Sequence, residues 1–180
     1  MVVSVGLAIM ISLMRNKRAS KVYQTMMFFP YFMSWVVASY FLDAFLNQNN
    51  GLINNMLRNS GQQPIQWYMT AGAWPAILTF MYLWKSTGYN MVIYLSSISG
   101  IDTTLYEAAV MDGANKRQQV FHITLPCLKN VIIMMFILNV GKIFYSDFGL
   151  FYQLSQGASG SIFKTTATID TYIYLSLIHI

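Results

Sequence analysis

Glu107 is the sole glutamate of this chain, and it opens the run Glu107-Ala108-Ala109-Val110-Met111-Asp112-Gly113. Ile123-Thr124-Leu125-Pro126 follows a short way on, with Lys116 and Arg117 between. A carboxylate beside two small residues suits a charge-assisted contact with a basic partner that approaches closely. It does not suit covalent chemistry. No nucleophile and base pair up, because His122 is the only histidine before the final residues. Cys127 is the single cysteine, which excludes an intrachain disulfide and any Cys/His metal spacing. It reads as a cytosolic-side or in-membrane thiol, on the burial preference of free cysteine. A phosphate-cradling loop is also missing. Gly141-Lys142 echoes part of one, but Phe136 and Ile143 stand where glycine and a hydroxyl are needed.

The elements holding these residues are mostly apolar. Of 180 residues, 56% are hydrophobic and only 9% are charged, against about 25% charged in ordinary soluble domains. A single water-soluble core needs far less, so the expected fold class is all-α, a polytopic integral membrane helical bundle. The net charge of +5 comes from bases set between apolar runs, which excludes the interleaved basic surface of a nucleic-acid binder.

Four apolar segments are expected: Val2 to Met14, Met26 to Leu46, Trp74 to Ile98 and Val131 to Leu154. The first falls short of the roughly 20 residues that cross a bilayer, and it lacks the flanks of a signal peptide. Arg15, Lys17, Arg18 and Lys21 follow it, and Lys116, Arg117 and Lys129 precede the last. The remaining connector and tail hold only Arg58 and Lys164. The positive-inside rule puts 15–21 and 101–129 in the cytoplasm and 47–73 outside, with Trp67 and Trp74 in an interfacial belt.

Within the loop, Thr104 followed by Glu107 reads as a capping box, and Asp102 is an alternative cap. Tyr106 to Met111 is then a short helix ended by Gly113, whose missing Cβ permits a left-handed exit. A second helix is expected over Asn115 to Ile123. Pro126 suits the first turn of the next membrane helix.

The full spacing, Glu107-Ala108-Ala109 with Asp112-Gly113 and then Ile123, Leu125 and Pro126, resembles the EAA motif of binding-protein-dependent ABC transporter permeases with a MetI-like transmembrane domain. Phe29-Pro30-Tyr31, Asn50-Gly51-Leu52 and Ile169-Asp170-Thr171-Tyr172 resemble the carbohydrate-uptake branch, in particular its complex-polysaccharide (Lpl-type) permeases. One departure is Asn115-Lys116-Arg117, where relatives often carry Ser-Arg-Trp.

The resemblance implies a coupling helix that inserts into a separate ABC ATPase subunit, which holds ATP and magnesium, so this chain needs no cofactor or metal. It also implies a second permease subunit, an extracytoplasmic solute-binding protein, and residence in the cytoplasmic membrane as a multi-pass protein. The implied function is sugar or oligosaccharide import without enzymatic activity of its own. Another solute, such as peptide or glycerol phosphate, is the alternative within transport, and a membrane anchor is the alternative outside it.

Ionisable residues at membrane depth tend to face an internal cavity. Lys85 and Lys142 are so placed, and Trp84, Tyr89, Asn90 and Asn139 complete the expected translocation path. Lys142 and Asp147 would stand about 140° apart on one helix. Residues 1–174 are expected to form a transmembrane domain truncated at both ends, with its coupling loop at 101–126. Leu175-Ser176-Leu177-Ile178-His179-Ile180 reads as sequencing-adapter translation.

Overall fold

The computed structural model describes residues 1–142, 145–157 and 160–178. Every regular element among them is helical, with no strand. The chain divides into two compact units, Met1–Phe32 with Trp84–Ile143, and Met33–Leu83 with Phe144–Ile180.

In the first unit, α1 (Val2–Ser12) leads into α2 (Lys17–Phe32). Asn16 starts α2 by accepting from the backbone N–H groups of Arg18 and Ala19, at 3.0 and 3.2 Å. These bonds satisfy donors that the first helical turn leaves open. The C-terminal half of α5 (Trp74–Ser99) and all of α8 (Leu125–Gly141) complete this unit's long helices. Its core gathers Ala8, Ile11, Met91, Tyr94 and Met135. Gly88 of α5 lies against the backbone of Met27 and Phe28, where any Cβ would collide with the Met27 carbonyl. A glycine there lets two helix backbones approach closely, the usual role of small residues in membrane helix packing.

In the second unit, α3 (Trp35–Leu46) packs with α9 (Phe148–Leu154) and α4 (Leu52–Asn59). Two short helices, α10 (Phe163–Thr166) and α11 (Ile169–Ile178), follow. The Trp35 indole donates to Asp147 at 2.8 Å, and Asp147 also caps α9 by accepting from the Leu150 N–H. The 47–73 connector is not slack. Fully buried Asn54 donates to the Ile65 carbonyl at 2.9 Å, accepts from the Ile65 N–H at 3.0 Å, and receives the Trp67 indole at 3.3 Å. One amide thus satisfies backbone groups that a loop would otherwise leave to water.

Several expectations change. The apolar run Met26 to Leu46 is two helices, because Ser34 caps a new one by accepting from the Val37 N–H at 3.2 Å. Pro30, inside α2, weakens the helix just before that break. Val131 to Leu154 is likewise not one helix. α8 ends at Gly141, and Asp147 starts α9 afterwards, while Ile143 and Phe144 lie outside the described residues. Lys142 and Asp147 therefore share no helix.

Trp74, expected in an interfacial belt, does not face outward. It is completely buried, and its indole donates to the Trp67 carbonyl at 3.0 Å. Among the described residues, one continuous helical stretch, Lys116–Gly141, is long and apolar enough to cross a membrane. The pair α2 and α3 passes only as a broken span. α5 has the length, at 26 residues, but Lys85, Ser86, Thr87, Asn90 and the terminal Ser96, Ser97 and Ser99 dilute its apolarity. His179 and Ile180 of the expected adapter tail lie outside the described residues; 175–178 continue α11.

Candidate functional site: the Glu107–Pro126 loop

The loop helix α6 (Thr103–Met111) is closed at both ends by its own sequence. Asp102, not Thr104, is its N-cap: the carboxylate accepts from the Thr104 N–H at 2.9 Å. That bond holds the Asp102 carboxyl below the ordinary carboxylate range. Asp102 prevails because its short side chain reaches a backbone donor two residues on.

At the other end the Ala114 N–H donates to Ala109 at 2.8 Å and the Gly113 N–H donates to Val110 at 3.0 Å. This is a Schellman ending, and Gly113 takes the left-handed φ of +78° that it requires. Nothing crowds a Cβ at Gly113, so the demand for glycine is one of backbone conformation alone.

No residue of α6 is buried. Leu105, Ala108 and Met111, spaced three apart, form one open apolar stripe, with Met111 87% exposed. Glu107 and Asp112 are exposed beside it, and Ala109 is half-buried. The helix is therefore capped at both ends and carries an apolar stripe that nothing among the described residues covers.

A second helix, α7 (Lys116–Gln119), starts with a true capping box. The Asn115 side chain accepts from the Gln118 N–H at 2.9 Å, and the Gln118 side chain accepts from the Asn115 N–H at 2.8 Å. It does not stop at Ile123 as expected. A π-turn over Val120–Thr124 joins it to α8, giving one helical stretch through to Gly141. Pro126 sits just past this turn. Proline lacks the N–H that would bond back and clashes with the preceding turn, so a widened turn is the natural relief.

The two parts of the loop are tied together. The Tyr106 hydroxyl and the Thr124 hydroxyl hydrogen-bond at 2.9 Å, linking α6 to the foot of α8. Thr124 is buried, and Gln119 beside it donates to the Ala114 carbonyl at 3.2 Å. Ile123 and Leu125 are half-buried at the same junction, and Pro126 is exposed. His122 hydrogen-bonds through Nδ1 to the Gln118 carbonyl at 3.0 Å. Cys127 is exposed and not packed away. Neither Tyr106 nor Thr124 was singled out by sequence, whereas Asn115-x-x-Gln118 carried a readable capping signal.

The expected path residues are distributed over two helices. Trp84, Lys85, Tyr89 and Asn90 stand on α5. Asn139 lies in the last turns of α8, where its amide donates to the Met135 carbonyl at 2.6 Å, and Lys142 is the exposed residue closing that helix. Tyr89 is the best defined of them. Its ring stacks on Tyr31 of α2 at 4.6 Å and 13°, and Tyr31 stacks in turn on Phe28 at 5.8 Å and 7°.

In the second unit the Tyr68 hydroxyl is buried without a hydrogen-bond partner among the described residues. Burial first, and then the Asp43 carboxylate, push its pKa up to about 12.

The arrangement of the described residues, apolar helices on either side of a capped, exposed loop helix, is that of an inner-membrane transport component. More particularly, the chain belongs to the binding-protein-dependent transport system inner membrane component family, whose model matches residues 4–173. It is 32% identical over 172 residues to YteP of Bacillus subtilis (strain 168), a polygalacturonan/rhamnogalacturonan transport system permease protein, covering 96% of this chain and 53% of YteP. It is 27% identical over 169 residues to Protein LplB of the same organism, covering 94% of this chain and 52% of LplB.

Among solved structures, the bacterial alginate ABC transporter in complex with an alginate pentasaccharide-bound periplasmic protein superposes with a TM-score of 0.86 at 30% identity. That match covers 96% of this chain and 59% of the other. The chain thus spans about half the length of the curated relatives it matches.

Proposed function

We propose that this chain is the permease subunit of an ABC importer that moves a sugar or oligosaccharide across the cytoplasmic membrane. The observation that carries the reading is α6, an exposed apolar helix held rigid by Asp102, by Gly113 and by the Tyr106–Thr124 bond. A separate ATPase, holding ATP and magnesium, docks on Leu105, Ala108 and Met111, and Glu107 meets a basic group at the edge of that groove. Glu107, Ala108, Ala109, Asp112, Gly113, Ile123, Leu125 and Pro126 together form the coupling element.

Closure of the ATPase pair pushes on α6, and the continuous stretch from Lys116 to Gly141 carries the displacement to membrane depth. No bond of the solute is made or broken on this chain. The basic residues on the 15–21 and 101–129 segments keep those segments cytoplasmic. The bundle is multi-pass, paired with a second permease subunit, and receives solute from an extracytoplasmic binding protein. Lys85, Trp84, Tyr89, Asn90, Asn139 and Lys142 line the route. The Tyr31–Tyr89 stack gives flat aromatic faces of the kind that pack against sugar rings.

The relatives named for polygalacturonan/rhamnogalacturonan and for alginate transport support a saccharide as the solute. Purifying the full-length protein and identifying what comes with it tests the class: an ATPase subunit is expected, and its consistent absence would overturn the permease reading. Ligand binding to the associated binding protein then tests the saccharide.

A further inference from the structure

A cleft of about 520 Å3 opens in the first unit between α2, the end of α5 and the α6–α7 loop. Lys17, Lys21 and Lys116 line it, with Ser20, Gln24 and Tyr106. Ile11, Leu95 and Ile98 give the lining an apolar part. The carboxylates of this unit, Asp102, Glu107 and Asp112, are not in the lining. Lys116 donates to the Gln119 side chain at 3.2 Å, a neutral partner that leaves its charge unbalanced.

Lys17 and Lys21 are one helical turn apart on α2, and like charges at that spacing destabilise a helix. An anion between them removes that repulsion. The volume falls within the ~300–1,000 Å3 typical of small-molecule sites. A lining that combines ammonium, hydroxyl and amide groups with apolar side chains matches a ligand with a charged head and a less polar body.

We infer that this cleft binds a phosphate-bearing anion, supplied either by an anionic glycerophospholipid headgroup or by a soluble phosphate. Basic pockets at the cytoplasmic ends of membrane helices suit such headgroups. The bound anion contacts Lys116 and Tyr106, so it braces α2 against the loop that carries α6. The cytoplasmic placement rests on the orientation proposed above, but binding measured in detergent does not depend on it.

The test uses the full-length permease in detergent, with two probes: inorganic phosphate, and phosphatidylglycerol against phosphatidylcholine in mixed micelles. The wild type is expected to bind at least one probe, with affinity falling as salt is raised. Binding of phosphatidylglycerol alone assigns the headgroup, and binding of free phosphate assigns the soluble source. The Lys17→Gln, Lys21→Gln double variant should bind at least about tenfold more weakly, a change of about 1.4 kcal/mol. A Lys17→Arg, Lys21→Arg variant should stay within about threefold of the wild type.

Failure of the wild type to bind either probe would overturn the inference. So would unchanged affinity in the glutamine variant, or loss of binding in an arginine variant with native helicity. An ATPase that still accompanies a non-binding protein would leave the permease reading standing.

Discussion

Tyr106 and Thr124 stand 18 residues apart and share a hydrogen bond of 2.9 Å between their hydroxyls. The bond closes the loop on itself, joining the exposed helix α6 to the buried start of the stretch that continues as α8. Force applied to α6 therefore has a direct route to α8 besides the chain through Gly113. Tyr106→Phe keeps the ring and removes the bond, worth about 1 kcal/mol. Solute uptake per ATP hydrolysed should fall about fivefold in proteoliposomes, with the ATPase still bound. Unchanged coupling would mean that the bond is a packing detail.

Gly113 tests the loop from its backbone. At φ +78° a residue with a Cβ pays about 1–2 kcal/mol, and a β-branched one is a severe outlier. Gly113→Val should misdirect the exit of α6 and lower uptake at least as far as Glu107→Gln does. Both variants should hydrolyse ATP without matching transport. Uptake by Gly113→Val at the wild-type rate would contradict the coupling role of this turn.

Lys85 stands within α5, one of the helices proposed to line the route. Lys85→Met should reduce saccharide uptake several-fold and leave ATP hydrolysis intact. Unaltered uptake would remove Lys85 from the path.

Tyr68 gives a pH signature in the second unit. The free phenol ionises near 10, whereas in the folded chain burial and the Asp43 charge hold the proton until about 12. Between those values the unfolded chain releases a proton that the folded chain keeps. Stability is therefore full below about 10 and falls as pH rises towards 12. Phenolate absorbance should show one transition near 12 that Tyr68→Phe abolishes. A normal titration for every tyrosine would show that the phenol is solvated.

The coupling loop was largely legible because its signals are local. Asp102 as a cap, Gly113 as a left-handed exit and the Asn115–Gln118 box each act over a few residues, so residue type and spacing carry them. The Tyr106–Thr124 bond was not legible, since nothing in either residue names its partner across a folded turn. The membrane segments were readable as apolar but not as geometry. Hydrophobicity runs unbroken through Met33–Ser34, yet the Ser34 hydroxyl starts a new helix there. The burial of Trp74 was missed for a related reason: composition suggests an interfacial indole, and only the fold supplies the Trp67 carbonyl that satisfies it.

If α6 seats in an ATPase, then Met111, 87% exposed at the end of its apolar stripe, lies at that contact. A photo-activated benzophenone residue placed at Met111 of the full-length protein should form a covalent adduct with the ATPase subunit. The same group at Phe80, exposed on the α5 segment of the second unit, should not. Capture of the ATPase from Met111 alone is the predicted result. Equal capture from both positions, or none from Met111 in a complex that still contains the ATPase, would contradict the docking of this helix.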